Sequence, residues 1–320
     1  MIEKSSLRER SIKTLREGGL AGLSRRAALY LTRRIAWRAD ESSRRLDFAI
    51  SGNNLMREFG AEIKRNEIFR DRHKGERCFV IGNGPSLRHQ DLSPLGNEIT
   101  LVTNSFYLHP LVGESWQPDY YFVSDPYYFN GSESPEFFSD LTSRIPKAPF
   151  FVPHFARDFL TRTKLLPSER THYVAVLGGL EDESWQEKPD LTRVTPGMQT
   201  VVQLAIMTAI YMGCSEIYLL GLDHDWLSRT GEQLNFYSDP NATGQPTQDA
   251  GSWTYRTLME ALVVMWQLYE RLGKLADREG IKIINATRGG FLDVFERACY
   301  EEIIPSAAAA ANNSRPESIS

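Results

Sequence analysis

Apolar residues along this chain fall into short runs that stop abruptly at glycine or polar clusters. Cys78-Phe79-Val80-Ile81 stops at Gly82, and Ile99-Thr100-Leu101-Val102-Thr103 stops at Asn104. Runs of this length without polar alternation read as strands buried on both faces of a parallel sheet. Tyr120-Tyr121-Phe122-Val123, Pro149-Phe150-Phe151-Val152, residues 173–177, residues 216–220 and Ile281-Lys282-Ile283-Ile284 continue the series. Two helical patterns lie between them. Residues 198–212 are apolar almost all round, which predicts a buried helix, with Thr195 as its N-cap, Pro196 at its first position and Gly213 as its stop. Residues 254–278 place Tyr255, Leu258, Leu262, Trp266, Tyr269 and Leu272 on one helical face.

Strands alternating with helices predict an α/β, Rossmann-like fold, a mostly parallel sheet with helices on both faces. A helical N-terminal extension precedes it. The expected division is a basic amphipathic helical extension over 1–70, a nucleotide-binding transferase domain over 71–305 and a disordered tail over 306–320. Residues 46–76 read as further helix and a charged connector.

Charge separates the extension from the body. Residues 1–45 hold 12 Lys/Arg against 5 Asp/Glu, a surplus of seven; with a net charge of −4, the remainder carries −11. Leu20, Leu23, Ala27, Tyr30, Leu31 and Ile35 recur at helical spacing among the arginines. That pattern suits a helix lying on an anionic membrane surface, or a solvated helix packed on a partner. No apolar stretch approaches the length of a membrane span. Three scattered cysteines, Cys78, Cys214 and Cys299, supply neither a disulfide framework nor a zinc cluster. These features point to the cytoplasm, with peripheral attachment to the inner face of the membrane through residues 1–45. The acidic body excludes nucleic acid as a partner.

Ligands in open parallel sheets bind beyond the carboxyl ends of the strands. Four strand ends carry usable chemistry. Gly82-Asn83-Gly84-Pro85-Ser86 follows the first strand. Its glycines permit close approach to a ligand, its N–H groups are expected to hold an anion, and its spacing matches neither the dinucleotide fingerprint nor the Walker loop. Asn104 follows the second strand. Asp125 follows the third, either as a ribose or metal ligand or as a turn cap before Pro126. Asp223-His224-Asp225 follows Gly221: two carboxylates that could share Mg2+ or Mn2+ against a diphosphate leaving group, with His224 between them as a general base. Tyr237, farther along that loop, either donates to a departing phosphate or packs the loop. The candidate catalytic residues are therefore Asp223, His224, Asp225 and Tyr237. No organic cofactor is expected.

The segment Arg77-Cys78-Phe79-Val80-Ile81-Gly82-Asn83-Gly84-Pro85-Ser86-Leu87 resembles bacterial proteins with the 6-hydroxymethylpterin pyrophosphokinase MptE-like domain, including motility accessory factors. More distantly, it is similar to bacterial sialyltransferases that use CMP-sialic acid, a GT-A-like variant of the fold. Asn104, Thr195-x-Gly197, the run Glu216 to Asp223 and Gly289-Gly290-x-Leu292-Asp293-Val294-Phe295 carry the resemblance further, over about residues 70–303. It implies that Gly82, Asn83, Gly84, Ser86, Asn104, Thr195 and Gly197 line a donor site, with Tyr237 matching a phosphate-binding tyrosine; Pro85 and Asp125 join them as substrate-binding candidates from their places at the strand ends. The sialyltransferases place their general-base histidine well downstream, whereas no histidine follows His224 here. The expected function is a glycosyltransferase that uses a CMP-sugar or other nucleotide-activated donor and a glycan or lipid-linked acceptor, in assembly of bacterial surface glycan. The alternatives are an ATP-dependent 6-hydroxymethylpterin pyrophosphokinase and a non-catalytic nucleotide-binding subunit.

Overall fold

The structure is a computed structural model, and it describes residues 42–43, 46–113, 115–130, 134–178, 187–225, 228, 235–237 and 255–304. The expected membrane-surface helix over 1–45 (apart from 42–43), the tail over 306–320 and most of the 223–252 loop lie outside the described residues. Contacts divide the chain into two units, Met1–Asn53 and Asn54–Ser320. In the first, the described residues are helical. No helix among the described residues is long and apolar enough to cross a membrane.

Alternation along each strand sorts the second unit into two cores. In β1 (Arg77–Ile81), Cys78 and Val80 belong to one apolar cluster, Phe79 and Ile81 to the other. β2 (Ile99–Thr103) divides Leu101 from Val102 in the same way. β3 (Tyr120–Phe122) divides Tyr120 and Phe122 from Tyr121, and β4 (Phe150–Pro153) divides Phe151 from Phe150 and Val152. A strand whose neighbouring side chains are both buried must be covered on both faces. The remaining strands are β5 (Thr171–Val174), β6 (Val176–Leu177), β7 (Thr195–Pro196), β8 (Glu216–Leu220), β9 (Lys282–Asn285) and β10 (Glu296–Arg297). The main sheet runs β10-β9-β8-β1-β2-β3-β4-β5. All of its pairs are parallel. β6 and β7 form a separate parallel pair. The chain lays β2 to β5 outward on one side of β1 and then crosses back to place β8 on the other. This reversal makes the carboxyl end of β1 the topological switch point, where a crevice opens in such sheets.

Helices cover both faces, as expected. One face carries α5 (Val201–Tyr211), all of whose residues are buried, against β1, β2, β3 and α6 (Tyr255–Arg278). The other face receives Phe138 and Leu141 of α3 (Ser134–Arg144) and Leu160 of α4 (Arg157–Thr163), with α2 (Tyr127–Asn130) nearby. Residues 54–64, here α1, set Leu55, Phe59 and Ile63 on Ala175. A last helix, α7 (Tyr300–Ile303), follows β10.

The structure corrects the helix start. Thr195 and Pro196 pair with Val176 and Leu177 as β7, and the Thr195 hydroxyl donates to Ala175 O at 3.1 Å. The cap of α5 is Thr200, which with Gln203 forms a capping box. The box satisfies two orphan donors reciprocally, an advantage that Thr195 could not offer without Glu or Gln three residues on. The stop at Gly213 holds, with φ +84°. The stretch 173–177 divides between β5 and β6, and β10 had no sequence signal because only two exposed residues make it. Thr200→Ala is expected to destabilise the protein by about 1 kcal/mol through loss of the cap. Thermal denaturation and faster amide exchange in the first turn of α5 would register it; an unchanged midpoint and unchanged exchange would contradict the assignment.

Candidate functional site

The glycine loop after β1 is shaped by the end of β8. Gly82 N–H donates to Leu220 O and Gly84 N–H to Gly221 O, both at 2.8 Å. A Cβ on Gly84 would lie 1.8 Å from Asp223 Oδ2 and 2.7 Å from Gly221 O, so only glycine fits. Ser86 N–H donates to Asp223 Oδ1 at 3.1 Å, and Ser86 Oγ–H to Asp223 Oδ2 at 2.8 Å. The Asp223 backbone is gripped from the other side: its carbonyl accepts Phe291 N–H at 2.7 Å, while Gly290, at φ +77°, abuts it closely. With 4% exposure, Asp223 is an internal bridge between the two strand ends.

This arrangement corrects the expected chemistry of the loop. The N–H groups of Gly82, Gly84 and Ser86 do not wait for an anion; Leu220, Gly221 and Asp223 already accept them. The loop leads into a 3-10 turn, Pro85–His89, too short to bring a helix dipole to bear.

The chemistry on the β2 side differs. Asn83 Nδ2 donates to Thr103 O at 2.9 Å and to Thr103 Oγ1 at 3.1 Å, and Thr103 Oγ1 donates onward to Ile81 O. These bonds fix the amide's orientation. Asn83 Oδ1 is then left buried with no hydrogen-bond partner among the described residues. Asn104 repeats the pattern one strand over. It adopts φ +46°, its carbonyl accepts the Tyr121 hydroxyl, and its Oδ1 is likewise buried without a partner among the described residues. A left-handed non-glycine residue is strained, and such residues gather at functional sites. Each buried acceptor without a donor costs about 1–3 kcal/mol. Beside them Ser105 Oγ lies 3.4 Å from the Tyr128 hydroxyl, and Tyr128 stacks on Phe137 at 4.2 Å. Burial pushes the Tyr121 and Tyr128 phenols well above the ordinary range, and the nearby Tyr237 phenol adds to this. They stay protonated, and so remain hydrogen-bond donors.

The trio after Gly221 is built inward. His224 adopts φ +48° and is 9% exposed. Its Nε2 lies 2.9 Å from the Tyr269 hydroxyl, which lies 3.2 Å from Thr200 Oγ1 at the start of α5. Burial holds its pKa down at about 4, so the imidazole is neutral near pH 7. Asp225 is 6% exposed, and its carbonyl accepts the Ser228 N–H and hydroxyl. Among the described residues no group of three or more His, Cys, Asp or Glu side chains could hold a metal ion. Each Asp223 oxygen accepts one hydrogen bond from Ser86, which ties this carboxylate to the glycine loop.

The structure thus brings Gly82, Asn83, Gly84, Pro85, Ser86, Asn104 and Asp223 together at the ends of β8, β1 and β2. Asp125 is exposed beyond β3, where its Oδ1 accepts Tyr127 N–H and caps α2. Thr195 and Gly197 lie in and beside the β6–β7 pair, and no hydrogen bond among the described residues joins them to the glycine loop. Tyr237 is half-buried, with its ring 5.0 Å from Phe236. Sequence reasoning marked Thr103 and Ser105 only as the flanks of Asn104 at a strand end, and it gave no functional role to Tyr128 or Tyr269.

The model of a family described as 6-hydroxymethylpterin diphosphokinase MptE-like matches residues 53–229, more than half of the chain. Among solved structures, the sialyltransferase CstII from Campylobacter jejuni in complex with the substrate analogue CMP-3FNeuAc is similar at 17% identity, covering 75% of this chain and 99% of that one, with a TM-score of 0.41. The monofunctional α-2,3-sialyltransferase Cst-I from the same organism is 16% identical, covering 69% of this chain and 79% of that one, with a TM-score of 0.40. No curated protein matches the chain.

The neutral His224 makes a pH prediction. Its folded pKa, about 4, lies below the ordinary 6.5. Between these values the unfolded chain binds a proton that the folded chain refuses. Stability contributed by the neutral ring is therefore present above about pH 6.5 and lost as pH falls toward 4, by up to roughly 3 kcal/mol. His172, also held at about 4 by burial, acts in the same direction. Denaturant midpoints measured across pH 4–7 should fall on acidification, and His224→Gln should flatten that slope. An equal slope in the variant would show that His224 titrates normally.

Proposed function

The chain belongs to the 6-hydroxymethylpterin diphosphokinase MptE-like family, and from its strand-end crevice we propose that it is a transferase that binds a nucleotide-activated donor and moves the donor's sugar to a hydroxyl acceptor. The observation that carries this reading is the pair of buried amide oxygens, Asn83 Oδ1 and Asn104 Oδ1, at adjacent strand ends. An acceptor without a partner calls for a donor: a ribose hydroxyl or the exocyclic amine of a base supplies one, and a phosphate oxygen does not. The Asn83 amide cannot turn to offer its N–H group instead without giving up Thr103. The nucleoside therefore sits on Asn83 and Asn104, and its phosphate points away from them, toward the phenols of Tyr128 and Tyr237.

In the transfer itself, the bond between the sugar's anomeric carbon and the phosphate oxygen breaks. A bond from the acceptor oxygen forms, the acceptor's proton goes to a base, and the nucleoside phosphate leaves. Neutral phenols stabilise the charge that grows on the leaving oxygen by donating to it. Glycans or lipid-linked glycan precursors are the acceptors this reading favours, with surface glycan assembly as the setting. The basic extension would bring the enzyme to an anionic membrane surface on the cytoplasmic side.

The family's description favours a second reading, transfer of diphosphate from ATP to a hydroxymethylpterin. Both nucleotides present hydroxyls and an amine to the asparagines, so binding alone does not separate them. Products do. Purified protein incubated with CMP-, UDP- and GDP-sugars is expected to release the nucleotide and glycosylate or hydrolyse the sugar. Release of AMP from ATP only with the pterin present would select the second reading, and silence with every donor would remove both. Asn104→Gly keeps the left-handed backbone and deletes only the amide, so donor affinity should fall about tenfold, the loss of roughly one hydrogen bond to a buried acceptor, with no fall in the thermal midpoint of the unliganded protein. Calorimetric titration with the donor measures it; unchanged affinity would take the site off Asn104.

A further inference from the structure

An arginine one turn past a glycine loop is first read as a phosphate ligand. The geometry of Arg88 points elsewhere. Its Nε–H donates to Phe236 O at 2.9 Å and its Nη2–H to Asn235 O at 3.0 Å. Phe236 N–H donates back to Asn83 O at 3.0 Å. The Phe236 ring is buried, edge-on to Phe106 at 5.9 Å and to His109 at 5.1 Å. Residues 235–237 are therefore fastened to the glycine loop by three hydrogen bonds and one buried ring, although some 150 residues of chain separate them. Tyr237, the last of the three, packs in the same apolar cluster as Tyr128.

We propose that Arg88 is a positioning residue: it seats residues 235–237 on the Gly82-Asn83-Gly84 loop so that the Tyr237 hydroxyl donates to the phosphate of a nucleotide held by Asn83 and Asn104. This rests on the donor reading above. The side-chain chemistry fits the task. Two successive carbonyls present two acceptors side by side, and the planar guanidinium fork meets both, whereas a lysine ammonium is a single point charge on a flexible stem. Asn83 is the junction. Its side chain holds β2, its carbonyl holds Phe236, and its remaining oxygen faces the ligand. The segment that carries Tyr237 and the amide that reads the nucleoside are thus joined through Asn83.

The test uses the full chain as wild type, Arg88→Ala, Arg88→Lys, Tyr237→Phe and the Arg88→Ala/Tyr237→Phe double variant, probed with cytidine and with CMP. Hydrogen exchange at the Phe236 amide should accelerate about tenfold in both Arg88 variants, because its acceptor at Asn83 O is no longer held in register. CMP affinity should fall about fivefold in Arg88→Ala and in Tyr237→Phe, the loss of roughly one hydrogen bond, while cytidine affinity stays constant. The double variant should lose no more than either single one, because the two residues act through one contact. Unchanged exchange at Phe236 in Arg88→Ala overturns the proposal. So do fully additive losses, or a larger CMP loss in Arg88→Ala than in Tyr237→Phe with Phe236 still protected; each would make Arg88 a direct phosphate ligand. If the wild type binds neither probe, nor UDP, GDP or ATP, the donor reading falls with the phosphate role of Tyr237, and Phe236 exchange still decides whether Arg88 seats the segment.

Discussion

The two hydrogen bonds from Ser86 to the Asp223 carboxylate are the constraint on which the rest of the site depends. They join the ends of β1 and β8, the one place where the chain reverses its order across the sheet. For the carboxylate to reach Ser86, Gly84 must lack a side chain and Gly221 must turn to φ +66°. For Asp223 to stay put, Gly290 must press against its backbone and Phe291 must bond to its carbonyl. A buried carboxylate is tolerable only when donors surround it, and here it accepts from a hydroxyl and from a backbone N–H. The result is a seam closed by the protein's own anion at the position where other strand–glycine-loop sites admit a ligand's phosphate.

Closing that seam displaces ligand chemistry to the neighbouring one. The glycine loop has no spare N–H at Gly82, Gly84 or Ser86, but its Asn83 amide, pinned by Thr103, presents an oxygen. Asn104 does the same in a strained backbone conformation. His224 carries equal strain on the closed side, where Tyr269 and Thr200 tie it to the start of α5. The two left-handed residues thus flank β1 with opposite characters. One is locked into a buried relay, and the other holds an acceptor that the protein does not satisfy among its described residues.

Much of this was legible in the sequence, for definite reasons. Strands such as Glu216–Leu220 and the buried helix after Thr200 are set by runs of apolar residues, which depend on local composition. Gly82, Gly84, Gly221, Asn104 and Asp223 stood out because strand ends carry chemistry in parallel sheets. What stayed hidden is what depends on partners far away in sequence. Nothing local says that Asp223 will bond to Ser86, 137 residues earlier. Nothing local says that three N–H groups will be taken by Leu220, Gly221 and Asp223. Thr195 looked like a cap because Pro196 follows it, and only its pairing with Ala175 and the capping box at Thr200 decide otherwise. Exposed two-residue strands such as β10 leave no hydrophobic pattern to read.

On the proposed reading, this polarity also orients the substrate. An amide oxygen repels a phosphate and attracts a hydroxyl or an amine, so the nucleoside end belongs on the β1 and β2 termini. The Tyr128 and Tyr237 phenols pack in one apolar cluster and are the donors this reading assigns to the phosphate, and burial keeps the Tyr128 proton in place. The reacting bond then lies beyond the nucleoside, toward the end of β3, where Asp125 is exposed. A donor bound the other way round would set its phosphate against the Asn83 amide oxygen, which Thr103 holds in place. On this reading that pinned acceptor selects one direction of binding, and with it the edge of the sheet from which an acceptor approaches.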